Sequence, residues 1–132
     1  MKVKRFAAVT AFLVAGLQLW AHHQFSSEFD TKKPMTLTGT VTRVDWAKPH
    51  AYIYLDAKNE NGQVEQWKLE TGSPDYLKQH GITASTFKKG ESLVVHAYGA
   101  TNEPHVASAR MVSANGKDME VADTKEDGGP EK

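Results

Sequence analysis

The sequence predicts an all-β fold with one short helix, closed as a small barrel of five to six strands. Three observations carry that expectation. Period-two segments recur over about 100 residues, a single helical segment interrupts them, and the chain holds no cysteine. Without cysteine neither disulfide staples nor thiolate metal sites are available, so packing alone must hold the fold together.

The first strand is read from Met35 to Asp45. Met35, Leu37, Gly39 and Val41 alternate with Thr36, Thr38, Thr40 and Thr42, the pattern of a half-buried strand. Gly39 in its middle marks a bend or bulge of the kind a barrel corner needs. Ala47-Lys48-Pro49 breaks the run, and His50 to Asp56 forms the second strand. Asn59-Glu60-Asn61-Gly62 is a turn, and Gln63 to Glu70 is the third strand, so the first three make a meander. The period then changes. Ser73 is an N-cap with Pro74 at the first helical position, and Gly81 ends the helix. Thr83 to Lys89 is expected to add a helical turn around Phe87. Ser92 to Tyr98 and His105 to Ser113 are strands four and five, and Asn115-Gly116 is a type I′ turn into a sixth strand near Met119–Val121. Strand-strand-strand-helix-strand-strand is the order of the OB-fold, a partly open Greek-key barrel; a six-stranded sandwich or a generic small barrel is the alternative.

Upstream, Lys2, Lys4 and Arg5 precede an apolar segment from Phe6 to Trp20, then Ala21 and two histidines. That is the three-part layout of a secretory signal, and the segment falls short of the roughly 20 residues that span a bilayer. The division that follows is a signal peptide (1–21), an N-terminal arm (22–34), a barrel (35–121) and a disordered charged tail (122–132). Export to the periplasm or medium is expected, with no membrane span after cleavage. A cut after Ala21 makes His22 the first mature residue; a cut after Gly16 is the alternative. The signal accounts for three of the 16 basic residues, so 13 remain against 16 acidic ones. A net charge near −3 argues against nucleic acid as a partner.

Ala21-His22-His23-Gln24-Phe25, Trp46-Ala47-Lys48-Pro49-His50 and Glu70-Thr71-Gly72-Ser73-Pro74 together resemble a family of small exported bacterial proteins known only as a domain of unknown function. Its members have Ala-His-His-Ser-Phe at the mature start, then Trp-x-Asn-Pro-His and Glu-x-Gly-Ser-Pro. Gln24 and Lys48 depart from that pattern, and the histidines keep it. The resemblance brings no activity with it.

An N-terminal histidine offers two nitrogens to one metal ion, its α-amine and its imidazole. A second imidazole, from His23 or His50, completes a three-nitrogen histidine brace, and copper(II) favours nitrogen donors in tetragonal geometry. His22, His23 and His50 are therefore the candidate ligands, with copper or another transition metal the candidate metal. Phe25 and Phe29 are expected to dock the arm and hold His22 close to the barrel. The plainer alternative is that the paired histidines are solvated and that His50 only bonds a backbone carbonyl. His80 reads as a helix C-cap, His96 as solvent-facing, and His105 as a strand-edge residue beside Pro104.

Trp46, Pro49, Trp67 and Glu70 are candidates for a ligand-binding face on which a small ligand or an envelope protein would dock without metal. A weaker reading is an accessory subunit of an exported redox enzyme. Glu70 with His50 would make an acid–base pair, but no nucleophile motif, phosphate loop or dinucleotide motif accompanies it. The sequence thus points to a non-enzymatic binding module.

Overall fold

The computed structural model describes residues 25–123 and Gly129. The predicted signal peptide, His22 and His23, and most of the predicted tail lie outside the described residues. A helical turn, α1 (25–28), leads directly into β1 (Phe29–Asp45), followed by β2 (Tyr52–Lys58) and β3 (Val64–Glu70). Helix α2 (Pro74–Gln79) precedes β4 (Ser92–Ala100), β5 (Val106–Ala114) and β6 (Lys117–Glu120). The strand–helix order is the predicted one, and α1 adds a second short helix to the one expected.

The sheet order is β3-β2-β1-β4-β5-β6, and a parallel pairing of β3 with β5 joins its two sides. The strands thus close a ring, β1-β2-β3-β5-β4, with β6 hanging from β5. One long strand makes the closure possible. Residues 29–40 of β1 pair with β4, and residues 39–45 pair with β2. Gly39 lies where both ladders overlap, opposite Ala57 on one side and Leu93 on the other. A bulge follows between Val41 and Arg43. The bend expected at Gly39 is therefore the corner where β1 passes from one partner to the other.

Alternation decides the rest. Val41, Ile53, Leu55, Leu69, Leu93, Val95 and Val112 all point into one core, each no more than 2% exposed. Ser73 Oγ accepts from the Tyr76 amide at 3.1 Å and caps α2, Gly81 follows at φ 75°, and buried Tyr76 and Leu77 seat the helix on that core. Asn115 and Gly116 both have positive φ (52° and 75°), as the predicted type I′ turn requires.

Two expectations are corrected. Residues 83–89 form turns rather than a helix. Thr83 N donates to Thr86 Oγ1 at 2.8 Å, and Thr86 N donates to the Thr83 carbonyl at 3.1 Å. These threonine bonds compete with the helical ladder, and Phe87 is buried without a helix to carry it. The first strand also begins at Phe29 rather than Met35, because Phe29 pairs with Ala100 and Pro34 with Tyr98. Lys32-Lys33-Pro34 erases the alternation there, so the pairing comes from the end of β4 and not from local pattern. The arm is docked as expected: Phe25 and Phe29 are each 5% exposed, with ring centroids 5.4 Å apart. The Arg110 guanidinium lies 5.3 Å from the Phe25 ring centre. Among the described residues no helix is long and apolar enough to cross a membrane.

Candidate functional site

His50 sits between β1 and β2, after a cis Lys48–Pro49 bond. Its Nδ1 donates to the Thr71 carbonyl at 2.9 Å, and its Nε2 lies 3.3 Å from Glu70 Oε1. The start of β2 and the end of β3 are stitched to hold this pair. Ala51 N donates to the Gly72 carbonyl at 3.1 Å, Thr71 N to the Ala51 carbonyl at 2.9 Å, and Thr71 Oγ1 to the same carbonyl at 3.0 Å. The ring therefore cannot swing freely. With Nδ1–H fixed by a carbonyl, the lone pair of a neutral imidazole is on Nε2, facing a carboxylate. Nε2 and Glu70 Oε1 are thus neighbouring acceptor atoms 3.3 Å apart, a pair suited to a metal ion.

Glu70 also lines a cleft of about 340 Å³ on the outer side of the ring. Its walls include Glu28 from α1, Tyr52 from β2, Lys68 from β3, and Asn102 and Glu103 from the β4–β5 loop. The Lys68 ammonium lies 4.4 Å from the Tyr52 ring centre. Burial, followed by the charges of Glu70 and Glu28 and by Tyr54, raises the Tyr52 hydroxyl above its usual pKa of 10.0. The sign of the consequence is fixed. The folded chain keeps the Tyr52 proton where the unfolded chain has lost it, so stability is level below about pH 10 and falls above it. Urea midpoints measured from about pH 9 to about pH 11 should fall less steeply in Tyr52→Phe than in the parent. Equal slopes would mean that the fold does not raise the Tyr52 pKa.

The remaining candidates separate. Trp67 and Glu70 are three apart on β3 and face opposite sides of the sheet. Trp67 packs against the core and meets the His105 ring at a centroid distance of 5.2 Å. Trp46 also packs against the core, and Pro49 is exposed on the loop before His50. Among the described residues, Glu70 and His50 are the predicted site residues that the fold brings into contact. His80 caps α2, its Nδ1 donating to the Tyr76 carbonyl at 3.0 Å, and His96 is exposed beside Thr36 Oγ1 at 3.0 Å. Among the described residues no three His, Asp or Glu side chains are grouped as a metal site, so a three-nitrogen site needs residues beyond them.

Sequence reasoning passed over Tyr52, Lys68 and Glu28, which alternate as ordinary surface positions. His105, read from the sequence as a strand-edge residue, has a larger part in the fold. That residue has φ 56°, an uncommon value for a non-glycine residue. Its Nε2 reaches Glu65 Oε2 at 3.1 Å, and Asn59 Nδ2 donates to Glu65 Oε1 at 2.8 Å. The only local signal was its place beside Pro104.

Residues 11–107 match the model of a family described as a family of unknown function (DUF6152). The matched span includes His22, His23, His50 and Glu70. No curated protein matches the chain.

Proposed function

The chain belongs to the DUF6152 family of unknown function, and from that premise we propose an exported, non-enzymatic binding module that takes copper. In this reading the ligands are the α-amine and imidazole of His22 together with His50, with His23 the alternative third donor. One observation carries the proposal: His50 is held as metal-binding histidines are held. Its Nδ1–H is fixed on a backbone carbonyl, which sets the tautomer and orients the ring, and its Nε2 lies 3.3 Å from the Glu70 carboxylate. The position of the arm supports the reading. Ser27 and Glu28 line the same cleft as Glu70, and His22 stands three positions before Phe25, a span of at most about 11 Å. The donor set fits the metal, since nitrogen-rich sites favour copper(II) among the divalent ions. Compartment and cleavage belong to the proposal as well.

The test uses the exported protein. Its intact mass gives the first residue, and a copper(II) titration gives stoichiometry and affinity. One copper per chain is expected on a protein that begins at His22, with a weaker affinity in His22→Ala. Affinity should fall below about pH 6, because an imidazole must be neutral to bind metal. A mature terminus at Leu17, an unchanged affinity in His22→Ala or a flat pH profile would overturn the reading.

A further inference from the structure

We propose that Arg110 is a clasp for both ends of the chain, and that the segment around Gly129 acts through it as a strap that keeps α1 docked on β5. The inference stands apart from the copper reading, because neither Arg110 nor Gly129 is among its ligands. It starts from a burial that alternation does not explain. Ala107 and Ala109 of β5 belong to the core, so Ser108 and Arg110 belong to the other face of the strand. They are nevertheless only 3% and 5% exposed. Arg110 Nη1 donates to Ser108 Oγ at 3.5 Å. A guanidinium is among the groups least often buried so fully, and its cover comes from the rest of the chain.

Three separate segments meet at this one residue. The Phe25 ring centre of α1 lies 5.3 Å from the guanidinium carbon and 5.4 Å from the Phe29 ring centre. The Val121 amide donates to the Arg110 carbonyl at 3.1 Å, and Val121 and Ala122 are 0% and 5% exposed, so the chain stays on β5 past the end of β6. Gly129 is buried as well. A Cβ built on it would lie 2.7 Å from Arg110 Nη2 and 2.9 Å from both Cζ and Nη1. Near-equal distances to those three atoms place Gly129 over the guanidinium plane rather than at its edge. Only a residue without a Cβ allows so close an approach of backbone to the group. Glu126, Asp127 and Glu131 stand within three positions of Gly129 in the sequence, a charge that complements Arg110.

The clasp matters most to α1. A helical turn this short has no stability of its own. Its ties to the barrel are the Phe25 side chain, the pairing of Phe29 with Ala100, and a bond from the Thr101 amide to the Glu28 carbonyl at 2.9 Å. With the cover at Gly129 removed, the Arg110 head group turns to water and loses its fixed place beside Phe25. A change at one end of the chain thus reaches the other through a single side chain. Proteolytic trimming of the C-terminal segment would release α1 and the arm before it.

The experiment follows amide hydrogen exchange by NMR in EDTA, for the exported protein, a form ending at Asp123, and Gly129→Val. Thr101 reports on α1 because its amide is bonded to Glu28, and Leu55, fully buried in β2, reports on the barrel. Thr101 exchange is expected to be about tenfold faster in both altered forms, with Leu55 exchange within about twofold of the parent. Gly129→Val drives either the guanidinium off Phe25 or Gly129 off Arg110, and either movement opens the clasp. Parent-like Thr101 exchange in either form would overturn the proposal. So would an equal acceleration at Leu55, which would mean that the whole barrel is loosened. Because no metal is present, failure of the copper reading would leave these results unchanged.

Discussion

Replacing His50 with alanine is expected to lower the copper(II) affinity of the mature protein at least about a hundredfold. Loss of groups that merely orient a metal ligand already costs tenfold to a hundredfold, and His50 in this reading is a ligand. Glu70→Gln keeps the shape of the carboxyl group and removes its charge beside Nε2, so about a tenfold loss is expected from it. Both effects should appear in competition against a chromophoric chelator. The fold should survive, because the His50 side chain is 34% exposed and its one backbone bond is to Thr71. A bond of that kind contributes about 1 kcal/mol. The metal-free His50→Ala melting midpoint should therefore fall by only about 5 °C in a domain of this size. Parent-like copper affinity in His50→Ala would remove His50 from the site.

Gly39→Val is expected to be the most destabilising single change in β1, costing about 2–4 kcal/mol and lowering the melting midpoint by about 10–25 °C. A Cβ at residue 39 would overlap the Asp56 carbonyl and lie 2.9 Å from Leu55 Cγ. Neither neighbour can yield cheaply. Asp56 belongs to the β1–β2 ladder, Leu55 is fully buried, and Gly39 is paired on its other side with Leu93. Gly62→Ala is the control. Its φ of 76° disfavours a side chain but nothing lies within 4 Å, so about 1 kcal/mol is expected. Thermal melts of the two variants decide the matter. If Gly39→Val costs no more than Gly62→Ala, close strand approach is not what turns the corner of the ring.

Which features the sequence could disclose follows from the range over which each is encoded. The α2 cap, the Asn115-Gly116 turn and the alternation of Met35–Asp45 are written in neighbouring residues, and each appears in the fold where the residues put it. The parallel contact of Lys68, Leu69 and Glu70 with Val106, Ala107 and Ser108 is not local, and no pattern in either strand announces it. The same limit hid the cleft. Tyr52 stands opposite Glu70 across the β2–β3 ladder, but only the β3–β5 closure and the docked α1 turn bring Glu28 and Glu103 to that pair. His50 and Glu70 were legible as a pair through their chemistry, and their contact depends on the register that fixes Tyr52 to Glu70. Trp67 shows the reverse. Grouped with Glu70 by residue type, it lies on the other side of β3 because three residues along a strand reverse the side-chain direction. His105 reads from the sequence as a plain strand-edge residue, because a residue at φ 56° breaks the alternation by which strand residues are sorted.

The proposal that His22 begins the mature chain and binds copper with His50 turns on one group, the α-amine. Its most direct test is the copper(II) affinity of mature protein beginning at His22, measured with the amine free and again with that amine acetylated. Acetylation leaves every side chain unchanged and removes a single nitrogen donor. A loss of at least about a hundredfold is expected on acetylation. Equal affinities would contradict the proposal.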